Sequence, residues 1–129
     1  MPDYFFDTSV LIAYFKNEDV KSAALVEEVI DGKATAAISA ITVAELWSIK
    51  STDPATHSYR EAVIQLMETV AVDASVAKRG GAIRQAHGLK LPDALVVACC
   101  QTTTGSFFSK DPHFRRVLNA NEVLGEIYE

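Results

Sequence analysis

The chain alternates short apolar runs with longer stretches in which apolar residues recur every three or four positions. Asp3 to Asp7 reads as a short buried strand, and Ser9 to Asn17 has helical periodicity, with Thr8 or Ser9 available as its cap. A second helix is predicted over Val20 to Ile30, stopping at Asp31-Gly32, and Thr35 to Ser39 is a strand of small residues. Ile41 to Lys50 is predicted helical, with Ser39 or Thr42 as its cap. A longer helical stretch, Ala55 to Val70, opens after Asp53-Pro54 and carries Tyr59, Val63, Leu66 and Met67 at helix spacing. Val70 to Val72 is a candidate short strand. Ala74 to His87 fits a helix despite Gly80-Gly81, which cost about 1 kcal/mol each relative to alanine, so the pair suggests close packing or a bend. Pro92 suits the first turn of a helix that ends near Gly105, and Ser106 to Ser109 is a strand followed by Asp111-Pro112. Strands alternating with helices predict a parallel sheet in an α/β sandwich. No repeat, low-complexity tract or linker divides the chain, so one domain over residues 1–129 is expected.

Composition narrows this picture. No apolar run reaches the roughly 18 residues of a membrane span, and Asp3 stands where a signal peptide would be basic. A cytoplasmic protein without membrane contact is expected. Cys99 and Cys100 are adjacent in an apolar segment, which suits core packing better than a disulfide or a metal clamp. The net charge of −5 means that any nucleic-acid surface must be local or helped by cations.

The chemistry lies in four acids. In an open α/β sheet, ligands gather outside the carboxyl ends of the strands. Asp7 ends the first strand and Asp111 follows Phe107-Phe108-Ser109, so both can occupy that edge. Glu45 lies between Val43-Ala44 and Leu46-Trp47, and Asp93 opens an apolar helix directly after Pro92. Each has an ordinary alternative. Asp7 and Asp93 can be helix caps, and Asp111 before Pro112 a turn residue. Glu45 has Ile49 four positions on and so lacks an i,i+4 cation. Taken together, four carboxylates at one sheet edge would repel unless cations held them, and oxygen-rich sites select Mg2+ or Mn2+.

These residues resemble the motifs of PIN-domain ribonucleases, particularly the small VapC-type toxins of prokaryotic toxin–antitoxin pairs. "FFDTSVLIAYF" is similar to the family's first motif, "ISAITVAELWS" to the second, "KLPDALVVACC" to the third and "FFSKDPHF" to the last. Their order and spacing agree over nearly the whole chain. The resemblance implies a three-layer α/β/α sandwich and a Mg2+- or Mn2+-dependent endoribonuclease. Asp7, Glu45, Asp93 and Asp111 would be its catalytic and metal-binding residues, with Ser9 and Ser109 as hydroxyl partners. It also implies an RNA substrate, a homodimer and a VapB-like antitoxin whose tail crosses the acidic groove.

Around these motifs lie Lys16, Lys50, Arg84, Lys90, Lys110, Arg115 and Arg116; some of them could form a phosphate-binding rim, although most read singly as solvated surface, and Lys110 is best placed to approach a substrate. His57, His87 and His113 lack metal-ligand spacing. Trp47 could stack a base, but its apolar helix predicts packing in the core or at a subunit interface. Leu25 to Ile30 and Ile41 to Ile49 are candidate partner surfaces that core packing could equally explain. Rival readings are weaker. A phosphatase-like domain would show Asp-x-Asp where this chain has Asp7-Thr8-Ser9, and a receiver domain would need a central strand ending in an aspartate. A PIN-fold binder of RNA or of a partner, without cleavage, remains the alternative function.

Overall fold

Phe5 and Phe6 are adjacent in one strand, so their side chains leave opposite faces of the sheet and seed two separate cores. In the computed structural model, which describes residues 1–50 and 53–129, five strands form one sheet: β1 (Tyr4–Phe6), β2 (Ala36–Ser39), β3 (Glu68–Val70), β4 (Ser106–Ser109) and β5 (Gly125–Ile127). Their order is β3-β2-β1-β4-β5, and every neighbouring pair is parallel. The helices are α1 (Thr8–Phe15), α2 (Val20–Ile30), α3 (Ala40–Trp47), α4 (Pro54–Gln65), α5 (Ala74–His87), α6 (Leu91–Gln101) and α7 (Arg115–Asn119), with a 3-10 turn at Pro112–Phe114.

On one face Phe6 packs with Val10, Leu11, Leu25, Val26, Leu46 and Val63 from α1 to α4. On the other, Phe5 and Phe107 pack with Val76, Ile83, Val96, Val97, Phe114 and Val117. Each such side chain contributes about 1.5–3 kcal/mol when fully buried. The result is the expected three-layer α/β/α sandwich. Cys99 and Cys100 are free and buried, as their apolar setting implies.

Most helices begin at a side-chain cap. Asp7, Asp19, Ser39, Asp53 and Asp73 each accept a backbone N–H of the following turn, typically worth about 1 kcal/mol. Helix α6 is different, because its N-cap, Lys90, supplies no side-chain bond. Gly80 is buried, and a Cβ there would lie 2.6 Å from Leu95 Cδ2, so this glycine lets α5 close on α6. Gly81 is exposed with nothing near it, and the helix runs through both without a break.

Several boundaries differ from the sequence reading. Helix α4 ends at Gln65 instead of reaching Val70, because Glu68–Val70 pair with Ala37–Ser39 as β3. Helix α6 stops at Gln101. Neither α7 nor β5 was expected; both are short, and β5 exists through its pairing with β4. Leu25, Val26 and Val29 belong to the core, whereas Trp47 is 44% exposed and meets the His57 ring edge-on, outside the core.

β1 is central, so contrary to the sequence reading a central strand does end at an aspartate. The receiver reading fails instead on strand order, since flavodoxin-like and receiver sheets run 2-1-3-4-5. Among the described residues no helix is long and apolar enough to cross a membrane. The chain moves outward from β1 through β2 to β3 and then returns to β4 on the other side. The connections therefore diverge between β1 and β4, and a crevice opens there at the carboxyl edge.

Candidate active site

Asp7 stands at that crevice. Its backbone N–H donates to Phe108 O at 2.9 Å, which ties the end of β1 to β4. Its side chain is 6% exposed, and one oxygen, Oδ2, accepts three bonds: from Ser9 Oγ at 2.7 Å, from Ser109 Oγ at 2.9 Å and from Ser9 N at 3.3 Å. Burial pushes the Asp7 carboxyl above its ordinary range, and the serine hydrogen bonds partly offset that. The two hydroxyls are themselves fixed, because Lys110 N donates to Ser9 Oγ at 2.9 Å and Asp111 N to Ser109 Oγ at 3.0 Å. Asp7 also caps α1, so the capping reading and the site reading describe the same side chain.

Glu45 approaches from α3. Its Oε1 accepts a hydrogen bond from Thr8 Oγ1 at 2.7 Å, and Thr8 Oγ1 lies 2.9 Å from Thr42 Oγ1. Thr8 and Thr42 were read from sequence only as caps; the clue to Thr8 was its place directly after Asp7, where the turn into α1 must face the same crevice. Asp111 begins the 3-10 turn, accepting His113 N at 2.9 Å, with His113 Nδ1 also 2.9 Å from the same oxygen. Its turn-residue reading therefore holds as well.

Asp93, in the first turn of α6, completes the set. Its carboxyl is pushed up to about 6, first by partial burial and then by the charges of Asp7, Asp111 and Glu45, with Lys90 opposing. The four sequence-predicted acids thus share one electrostatic neighbourhood. They do not share one coordination point: among the described residues no three histidine, cysteine, aspartate or glutamate side chains stand close enough to hold a common ion. In chemistry the donor set fits a hard divalent cation, being all oxygen, anionic and mutually repulsive.

Lys110 departs from its sequence reading. Its Nζ lies 2.5 Å from Asp19 Oδ2 and 4.0 Å from Glu18, so its charge is paired at the start of α2, while its backbone N–H donates to Ser9 Oγ at the crevice.

The model of the PIN domain family matches residues 4–119. A search of curated protein sequences finds no match. Among solved structures, the toxin–antitoxin complex from Klebsiella pneumoniae is similar at 22% identity and a TM-score of 0.78, over 98% of this chain and 99% of that one. VapBC2 from Rickettsia felis, bound to a DNA fragment from its promoter, is similar at 16% identity and a TM-score of 0.77, over 98% of each chain. DNA-bound VapBC from Salmonella typhimurium gives 18% identity and a TM-score of 0.75, again over 98% of each chain.

Proposed function

The chain belongs to the PIN domain family, and from that premise we propose that it is a metal-dependent endoribonuclease, the toxin of a toxin–antitoxin pair, which hydrolyses RNA phosphodiester bonds. The observation that carries the reading is geometric: Asp7, Glu45, Asp93 and Asp111, from four different elements, gather at the crevice between β1 and β4, and the Asp93 carboxyl is raised first by burial and then by the charges of Asp7, Asp111 and Glu45. Like charges concentrated beside a crevice destabilise an empty site and favour a cation in it.

Asp7, Glu45, Asp93 and Asp111 would hold Mg2+ or Mn2+. Such an ion, once bound, supplies water of lowered pKa and positive charge against the scissile phosphate and its leaving oxygen. The protein's part is positioning. Ser9 and Ser109 orient Asp7, and Thr8 presents Glu45. Buried Phe6 and Phe107 make the strand ends that carry the site rigid.

The solved neighbours, one described as a toxin–antitoxin complex and two as VapBC, support a VapB-like antitoxin as partner, and an acidic groove suits a basic inhibitory side chain. A homodimer belongs to the same reading, with exposed Trp47 and Tyr59 as apolar surface for a second copy.

The test is cleavage of total cellular RNA by the purified protein with Mg2+ or Mn2+, with EDTA, and with Asp7→Asn. Discrete fragments that need both the metal and Asp7 are expected. Identical behaviour of folded wild type and Asp7→Asn would remove the catalytic reading. The non-cleaving binder of RNA or of a partner would then take its place.

A further inference from the structure

Beside the acid cluster lies a cavity of about 180 Å³ lined by Gly88, Leu89, Lys90, Asp93, His113 and Arg116. Asp93 belongs both to this cavity and to the acid cluster, so the two adjoin. Its other charged walls are cationic. Among the described residues neither Lys90 nor Arg116 is paired with a carboxylate, whereas Lys110 is held by Asp19.

Arg116 is anchored through Nη1 to His87 O at 3.2 Å, which fixes the guanidinium at the end of α5. Gly88, at φ +70°, turns the chain there and presents bare backbone to the cavity. Helix α6 starts at the same place without a side-chain cap, so the positive end of its dipole adds to the two cations. The volume is below the roughly 300 Å³ at which pockets for whole drug-sized ligands begin; it suits a phosphate with part of its sugar.

We propose that this cavity seats a phosphate of the RNA strand next to the scissile one, with Lys90 and Arg116 as its ligands. The identity of the strand rests on the nuclease reading above. The cavity explains how a protein of net charge −5 holds a polyanion against its own carboxylates. It also gives the strand a direction across the sheet edge, from the crevice toward the α5–α6 turn.

The test is binding of a fluorescein-labelled single-stranded oligoribonucleotide of mixed sequence, followed by anisotropy in EDTA over a range of salt. Three proteins are compared: wild type, Lys90→Gln/Arg116→Gln, and the charge-matched control Lys33→Gln/Arg79→Gln. In the control, Lys33 precedes β2 and Arg79 lines a cavity with Gly105 and Ser106 at the opposite edge of the sheet. The pocket variant is expected to lose affinity by about tenfold or more and to flatten the salt dependence by about 0.7 in log–log slope for each phosphate contact removed. The control is expected to bind like wild type, and Lys90→Arg/Arg116→Lys to retain most of the binding. If glutamine lowers the unfolding midpoint, the charge-conserving pair decides, since loss of binding there despite native stability overturns the proposal. Equal losses in pocket and control variants, no loss in either, or no wild-type binding also overturn it. A wild type that still cuts RNA in those cases leaves the nuclease reading standing. Absence of metal-dependent cutting removes that reading whatever the pocket does.

Discussion

Ser9 and Ser109, a hundred residues apart in the chain, place their hydroxyl oxygens 3.3 Å from each other and both donate to Oδ2 of Asp7. Each hydroxyl also accepts a backbone N–H from the β4 loop. One carboxylate oxygen, two hydroxyls and two amides therefore form a closed set that joins the ends of β1 and β4. Replacing any member leaves a neighbour unsatisfied.

Ser109→Ala should show this most directly, since Ser109 is fully buried. The change strips Asp7 of one donor and leaves Asp111 N–H without its acceptor, at a cost of about 2 kcal/mol. Metal-dependent cleavage should fall about 10–100-fold, as when other residues that orient metal ligands are removed. Urea unfolding and cleavage rates measure the two effects, and unchanged cleavage in a folded variant would refute the orienting role.

Asp93→Asn should abolish cleavage yet stabilise the metal-free protein. A carboxyl raised to about 6 from 3.8 binds its proton more tightly when folded. Stability from this group is thus present below the unfolded value and is lost as pH rises toward and past 6. Discounted for its partial exposure, the gain on substitution is about 1 kcal/mol at pH 7.5 in EDTA. Asp7 acts in the same direction. At Asp19 burial is outweighed by hydrogen bonds from Lys110 and Ser22, and the lowered pKa acts in the opposite direction. Comparison of the two proteins isolates Asp93: the difference in Tm should vanish near pH 4. A difference that persists there would mean that repulsion among the acids is not its cause.

Lys110→Gln should cost stability and spare RNA affinity. The Lys110–Asp19 pair is about four-fifths buried on both sides, so breaking it is expected to cost about 1–2 kcal/mol, between the exposed and fully buried cases. Asp19 also caps α2 through Ser22 N, so the loss should show as earlier exchange of the first-turn amides of α2. A tenfold loss of RNA binding in Lys110→Gln would instead make its side chain a substrate contact.

Gly125→Ala should detach β5. A Cβ at this position would sit 1.8 Å from Phe107 O, inside the ladder that Phe107 N makes to Leu124 O. Strand pairing cannot absorb such an overlap, and a loss of about 3 kcal/mol or more is expected in urea unfolding. Wild-type stability in the variant would show that β4 and β5 pair in another register.

That glycine also shows where sequence reasoning stopped. β5 has only three residues and no alternation of its own, and its glycine is required by a strand formed earlier in the chain. By contrast, Val20–Ile30 and Ala74–His87 were legible to the residue because each carries its own signals, Asp19 and Asp73 as caps and Gly88 in the left-handed conformation as a stop. The positions of Asp7 and Asp111 followed from strand ends, while the serine partnership came from family resemblance. The Lys110–Asp19 pair spans 91 residues and has no local signature. Arg116 reaches the cavity from α7, a helix too short for periodicity to reveal.

The pairing of β1 with β4 has a consequence for the order in which the protein is made. Chains emerge from the ribosome amino end first, and domains fold as their parts become available. Asp7 and Glu45 are synthesised well before Ser109 and Asp111, and β4 gains its outer neighbour only once Gly125–Ile127 have been made. A nascent chain that stops short of β4 therefore carries an incomplete cluster and no crevice. The four acids come together only after Asp111 has been made, which separates synthesis of the early strands in time from whatever the carboxylates do.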